Sequence, residues 1–479
     1  MRRSSLLAIS VLLALAAATT TTADAQTYDL VLEGGRVMDP ESGLDAVMNV
    51  GIIGGSIAAI SSDPLDGREI VDVSGHVVAP GFIDLHAHGQ DPFSRDLQVR
   101  DGVTTALELE SGVGRVDEWY AEREGDWRIN FGATTSYGAA RRAAFPDGGR
   151  AAIYEPATPE QIDEIQQTIA RSLAQGSLGL GIGLQYIPGA SRAEIFRAFQ
   201  TTAQHGLTVY VHIRYAGVLE PETSIAAVQE MIADAAGSGG SVHIVHIGSS
   251  GLQQIPTLLD MIEAAHDGGL DVTTEVYPYT AASTNIRAAI LDPGWRERLG
   301  GDYSDIEWVA TGERLDSASF HAYREEGGMI IAHIIPKDEM EYAIAHPEVM
   351  IASDGVGFVD GRAHPRGAGS FARVLGHYVR EEGVLTLMDA LRKMTLMPAV
   401  RLESVVPLMS RKGRVSVGAD ADLTIFNPAT VIDRATFSEP AQASAGIPHV
   451  LVNGQFVVRE GELVEGVMPG QPIRRRPIS

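Results

Sequence analysis

Two histidines one residue apart, His86 and His88 in the string APGFIDLHAHG (Ala79–Gly89), carry the strongest chemical signal in this 479-residue chain. An apolar, strand-forming lead-in delivers them. In an extended strand residues i and i+2 face the same way, so both imidazoles aim at one point. Neutral imidazole is the commonest side-chain metal ligand, and two convergent ones supply half of a tetrahedral or five-coordinate site. Further candidates stand at the ends of other apolar runs: Glu108 and Glu110 in TTALELESG, His212 in VYVHIRYAG, His246 in SVHIVHIGSSG and Asp354 in VMIASDG. Four histidines with carboxylates are enough for one or two divalent ions. The chain has no cysteine, so thiolate ligands, a thiol nucleophile and a disulfide framework are all excluded.

Spacing ranks these residues. Glu108 and Glu110 point the same way, but a carboxylate bridging two metals must come from a strand end, which favours Glu110; Glu108 is expected to salt-bridge inside the fold. His243 and His246 have odd spacing and do not share a strand face, so His246 is the expected ligand and His243 a structural residue. Asp354 is placed to take a proton from a metal-activated water and hand it to a leaving group.

Stepping outward, the elements that must bring these residues together are eight strand-like runs: FIDLHAH, TTALELE, INFGATT, LGLGIGL, TVYVHIR, VHIVHIG, VTTEVYPYT and VMIASDG. Amphipathic stretches such as PEQIDEIQQTIARSLAQG separate them, the alternation of a parallel sheet with crossover helices. The reading is α/β: a metal-dependent (β/α)8 TIM-like barrel over residues 80–404, in which every strand opens its C-terminal end on one face. An extra run, MIIAHII, is an insertion or a ninth strand. Residues 26–79 and 405–479 instead show short alternating strands with glycine turns, and are expected to form one small β-sandwich domain from both chain ends. The closing PIRRRPIS reads as a solvated tail.

Residues 1–25 form a separate unit. Arg2 and Arg3 precede an apolar stretch, Leu6–Ala18, too short to span a bilayer, and Ala23-Asp24-Ala25 supplies a cleavage site. This predicts a secretory signal and an exported protein, periplasmic or secreted, with no membrane association after cleavage. The net charge of −25, from 37 Lys+Arg against 62 Asp+Glu, disfavours nucleic acid as a partner.

HxH on the first strand, histidines on the fifth and sixth and an aspartate on the eighth resemble the pattern of the amidohydrolase superfamily. The phrases VAPGFIDLHAH and RKGRVSVGADADLTIFNP strengthen the likeness. Within it, GSLGLGIGLQYIPG, VHIR, EVYPYTAAST and HPRGAGSFARVLGHYVREEGVL resemble the N-acyl-D-amino-acid deacylase (D-aminoacylase) group. That resemblance implies zinc, as one or two divalent ions, and a small N-acylated amino acid as substrate. It implies one ion on Glu110, His212 and His246, and a second, weaker position on His86, His88 and Asp354, with Asp354 as general base and acid. Tyr277 and Ser283 match the positions that bind the substrate carboxylate; Arg366, on the loop after the last strand, is placed to clamp it with its guanidinium, with Arg373 in reserve, and His333 is either a supporting or a structural histidine. The chain departs from the group in three places. ELESG replaces a GNCG-like turn whose cysteine ligates metal, HIRYAG replaces HIR-(D/N)-E, and HIG replaces HHK. Metal count, oligomeric state and side-chain preference stay open. Two rivals are a hydantoinase- or dihydroorotase-like enzyme for cyclic amides and a non-catalytic exported binding protein. The first commonly needs a carboxylated lysine on the fourth strand, where GSLGLGIGLQ has none.

Overall fold

A computed structural model describes residues 27–477. The expected signal segment, residues 1–25, lies outside them.

Eight parallel strands form the centre: β1 (Phe82–Asp84), β2 (Val103–Val113), β3 (Asn130–Ser136), β4 (Gly179–Gly183), β5 (Thr208–His212), β6 (Ser241–Ile244), β7 (Val272–Val276) and β8 (Val349–Ile351). They are neighbours in chain order from β1 to β8, and each of the eight expected runs supplies one. Their residues are buried almost throughout, as in a parallel sheet covered on both faces. The covering helices show why the sequence folds this way. Thr158 caps helix Pro159–Ala174 in a capping box with Gln161, Pro159 opens it, and Ile165, Ile169 and Leu173 recur on its buried face.

The seam between β8 and β1 is closed by side chains and loop backbone. Asp84 Oδ1 accepts from Ser353 N at 3.0 Å, and the hydroxyl of Ser353 also bonds Asp84. Beyond the strand ends, His88 N and Gly89 N both donate to Gly355 O at 2.8 Å. These bonds tie the HxH turn directly to the loop that carries Asp354.

Both chain ends meet in a second sheet. Nine strands, drawn from Tyr28–Pro80 and Leu423–Leu463, are joined by hydrogen bonds. The long strand Tyr28–Asp39 changes partner along one edge, from Gly67–Asp72 to Val77–Pro80, at the bulge between Leu32 and Gly35. The sheet is branched and closes around its own apolar core, which includes Leu32, Val50, Val78, Leu423 and Leu451. Strand Val77–Pro80 pairs antiparallel with Leu423–Phe426 and runs straight into β1.

Two expectations are settled here. MIIAHII supplies Met329–Ala332, a strand of a separate four-stranded sheet inserted between β7 and β8, so it is not a ninth barrel strand. The tail is solvated only at Arg476 and Pro477 among its described residues; the part before them is docked. Ile473 is fully buried and its N–H bonds Phe131 O at 2.7 Å, while Arg475 reaches the carbonyls of Leu173 and His205.

Candidate metal centre

His86 and His88 follow β1, and their Nε2 atoms lie 3.0 Å apart. Glu110, near the end of the apolar part of β2, faces both halves of the cluster. Its Oε2 is 3.1 Å from His88 Nε2 and 3.7 Å from His86 Nε2, and its Oε1 is 3.3 Å from His212 Nδ1. His212 ends β5, and its ring centre is 4.4 Å from that of His246, which follows β6. Asp354, after β8, places Oδ1 3.4 Å from His86 Nε2 and 3.5 Å from His88 Nε2. Three overlapping trios have donor atoms close enough to share an ion: His86–His88–Glu110, Glu110–His212–His246 and His86–His246–Asp354. All six expected ligands are brought to one point.

The surrounding groups fix each ring. Glu275 on β7 accepts from His86 Nδ1 at 2.6 Å and Glu108 from His88 Nδ1 at 2.8 Å. Gln185 Oε1 lies 2.6 Å from His212 Nε2, and Ser250 Oγ 3.3 Å from His246 Nδ1. Every histidine therefore keeps its other nitrogen toward the cluster, the arrangement by which proteins orient metal-binding imidazoles. His212 Nδ1 is buried with no hydrogen-bond partner, and of the four buried carboxylates around the cluster (Glu108, Glu110, Glu275, Asp354) only Asp354 pairs with an arginine, Arg366. An orphaned lone pair in an excess of buried negative charge fits a divalent cation.

The electrostatics agree. Burial opposes protonation of His86, yet Asp354, Glu110 and Glu275 carry it well above the usual histidine range. Burial likewise opposes protonation of His88, and Glu108 and Glu110 overcome it, to about 10. Glu110 is held well below the carboxylate range by the three histidines against the pull of burial. His246, whose burial is reinforced by His212 and His86, falls well below the histidine range. The cluster wants positive charge between its carboxylates. Its backbone is also held under strain: His246 (φ 33°) and Asp354 (φ 48°) occupy the left-handed region, at about 1–3 kcal/mol each.

Tyr277, Ser283 and Arg366 line one pocket with His212, His246 and Asp354. Arg366 is buried, its Nη1 3.0 Å from Asp354 Oδ2 and its guanidinium 4.5 Å over the Tyr277 ring. The hydroxyl of Tyr277 and Nε of Arg366 are buried and unpartnered. The Ser283 hydroxyl donates to Ile330 O at 2.8 Å. Arg373 is turned away, bonded to Pro278 O and Asp433, and His333 pairs with Glu307 in the inserted sheet. Ile290, Leu291, Leu299, Ile330 and Ile334 form an apolar wall of the pocket.

A family model described as the amidohydrolase family matches residues 146–458. The N-acyl-D-glutamate deacylase of Alcaligenes xylosoxydans xylosoxydans is 32% identical, with 94% of this chain and 97% of that protein covered. The chain belongs to the amidohydrolase family. The D-aminoacylase of the same organism is 30% identical over 91% of this chain and 96% of its own length. Among solved structures, the N-acyl-D-glutamate deacylase of Bordetella bronchiseptica, complexed with zinc and a phosphonate mimic of the tetrahedral intermediate, superposes with a TM-score of 0.81. It is 28% identical, and 94% of this chain and all of that one are covered. This amidohydrolase is accordingly a metal-dependent hydrolase of C–N amide bonds.

Sequence reasoning brought the six candidate ligands together because each lies near or just beyond the C-terminal end of an apolar strand. It missed Glu275, Gln185 and Asp84, which orient them. Glu275 and Asp84 did leave a signal: each is a carboxylate inside an apolar strand, and burial there demands a partner. Glu108 is a partner of this kind, holding His88, and His243 bonds Glu275 at 3.2 Å as a structural residue.

Proposed function

We propose that this amidohydrolase removes the acyl group from N-acyl-D-amino acids. One observation carries the reading: Asp354 stands between the histidine cluster and a pocket in which two buried donors, Tyr277 Oη and Arg366 Nε, have no partner. A substrate whose amide lies at the cluster brings its α-carboxylate to those donors, and charge-assisted bonds of this type are strong and directional. The names of the two curated relatives support the N-acyl-D-amino acid class, and the apolar run before Ala23-Asp24-Ala25 supports action outside the cytoplasm.

His86, His88, Glu110, His212, His246 and Asp354 would hold the metal, zinc by analogy with the solved relative. A divalent ion held there would lower the pKa of water toward neutrality and polarise a carbonyl oxygen. The chain's own groups do the rest. Arg366 fixes Oδ2 of Asp354, which leaves Oδ1 toward the histidines. Asp354 takes the proton of the attacking water and returns it to the amide nitrogen as the C–N bond breaks, since an unprotonated amide nitrogen leaves poorly. The products are a free carboxylic acid and the amino acid.

The test is amine release from paired N-acetyl-D- and N-acetyl-L-amino acids by zinc-loaded protein. Release confined to the D-forms, with kcat lowered by about 10²–10⁴ in Asp354→Asn, is expected. Metal-loaded protein that leaves every pair intact would refute the reading.

A further inference from the structure

We infer that the half of the centre built by His86, His88 and Glu110 binds its ion more tightly than the half built by Glu110, His212 and His246. This rests on the metal-dependent reading above and reverses the order that the family resemblance implies.

The argument lies behind the ligands. Both imidazoles of the first half are backed by buried carboxylates: Glu275 on His86 Nδ1 at 2.6 Å and Glu108 on His88 Nδ1 at 2.8 Å. Both imidazoles of the second half are backed by neutral groups, the Gln185 amide on His212 and the Ser250 hydroxyl on His246. A carboxylate that accepts the N–H of an imidazole makes the opposite nitrogen a stronger donor and adds negative charge near the cation. Losing such a partner typically weakens metal binding 10–100-fold. The backing is itself anchored: His243 bonds Glu275 at 3.2 Å and Thr273 at 2.8 Å, and Ser111 N bonds Glu108 at 3.3 Å. Glu110 gives one oxygen to each half and does not discriminate. Asp354 Oδ1 lies 3.4 Å from His86 and 3.5 Å from His88 but also within sharing distance of His246, so it does not discriminate either, and the order rests on the groups behind the imidazoles.

The experiment strips the full protein with a chelator and titrates zinc back, reading stoichiometry and affinity by calorimetry and elemental analysis. His212→Ala is expected to keep one zinc at the wild-type tight affinity, whereas His88→Ala loses that tight ion. Glu275→Gln and Glu108→Gln, which keep an oxygen acceptor of the same shape, should weaken the tight step 10–100-fold and move the weak step by less than about threefold. Tight zinc retained in His88→Ala and lost in His212→Ala would overturn the ordering while leaving the deacylase reading intact. Wild-type protein that takes up no zinc would instead remove the metal-dependent reading on which the ordering stands.

Discussion

At the scale of single residues, the site is a set of deliberate vacancies in hydrogen bonding. Tyr277 is buried among Arg366 and His246, yet its hydroxyl has no partner. An unsatisfied buried hydroxyl is destabilising by about 1–3 kcal/mol, and a hydrogen bond to a charged ligand is worth about 1.5–3 kcal/mol. Tyr277→Phe is therefore expected to raise the melting temperature while raising KM roughly tenfold or more, with kcat little changed. Thermal melts alongside steady-state kinetics check this, and an unaltered KM would remove Tyr277 from the carboxylate site. The convergence of the six candidate ligands was legible in the sequence because a histidine or carboxylate closing an apolar run has one place to point in a parallel barrel. Their supports were less so. Gln185 sits in the short 3-10 turn Leu184–Tyr186, where no periodicity announces a role, and Glu275 is drawn to His86 from 189 residues away, which strand spacing alone does not reveal.

At the scale of elements, β8 shows how a three-residue strand is held in register at both ends. Ser353 ties its C-terminal end to Asp84 of β1. At the other end Lys393, on the π-helical turn Arg392–Leu396, donates to Val349 O at 2.9 Å and to His346 O, and its amine is buried. Burial lowers the pKa of this lysine to about 7. Between that value and the ordinary lysine value near 10.4, the folded chain binds fewer protons than the unfolded one, so this group makes stability rise with pH over that window. Below about pH 7 both states are protonated and the contribution is flat. Melting temperatures of wild type and Lys393→Met between pH 7 and pH 10 should show the rise in the wild type alone; parallel curves would mean that the amine keeps its proton when buried.

At the scale of the whole molecule, the terminal sheet and the barrel share one polar network on the side away from the metal centre. Lys412 bonds Asp422 at 2.6 Å and Asp420 at 3.0 Å, and Asp422 also accepts from Asn130 at the start of β3 and from Asn453 N. Removing one partner of a buried ion pair is destabilising by about 3–5 kcal/mol. Lys412→Met should lower the melting point of sheet and barrel together without altering kcat below the transition; two separate melts would show that the network does not couple them. The two-ended sheet was visible in the matching texture of the chain ends. The docking of the tail was not, because an arginine run looks solvated until its guanidinium groups meet carbonyls at a helix end, as at Leu173. That sheet also sets an order of assembly. Ribosomes add roughly 5–20 residues per second, so Val77–Pro80 waits on the order of tens of seconds for Leu423–Phe426, its partner across the ladder. Until then its edge is open to any passing strand, a known route to misassembly. The first strands to be made belong to the last layer to close, and a nascent chain interrupted before Leu423 carries an unfinished edge whatever the state of its barrel.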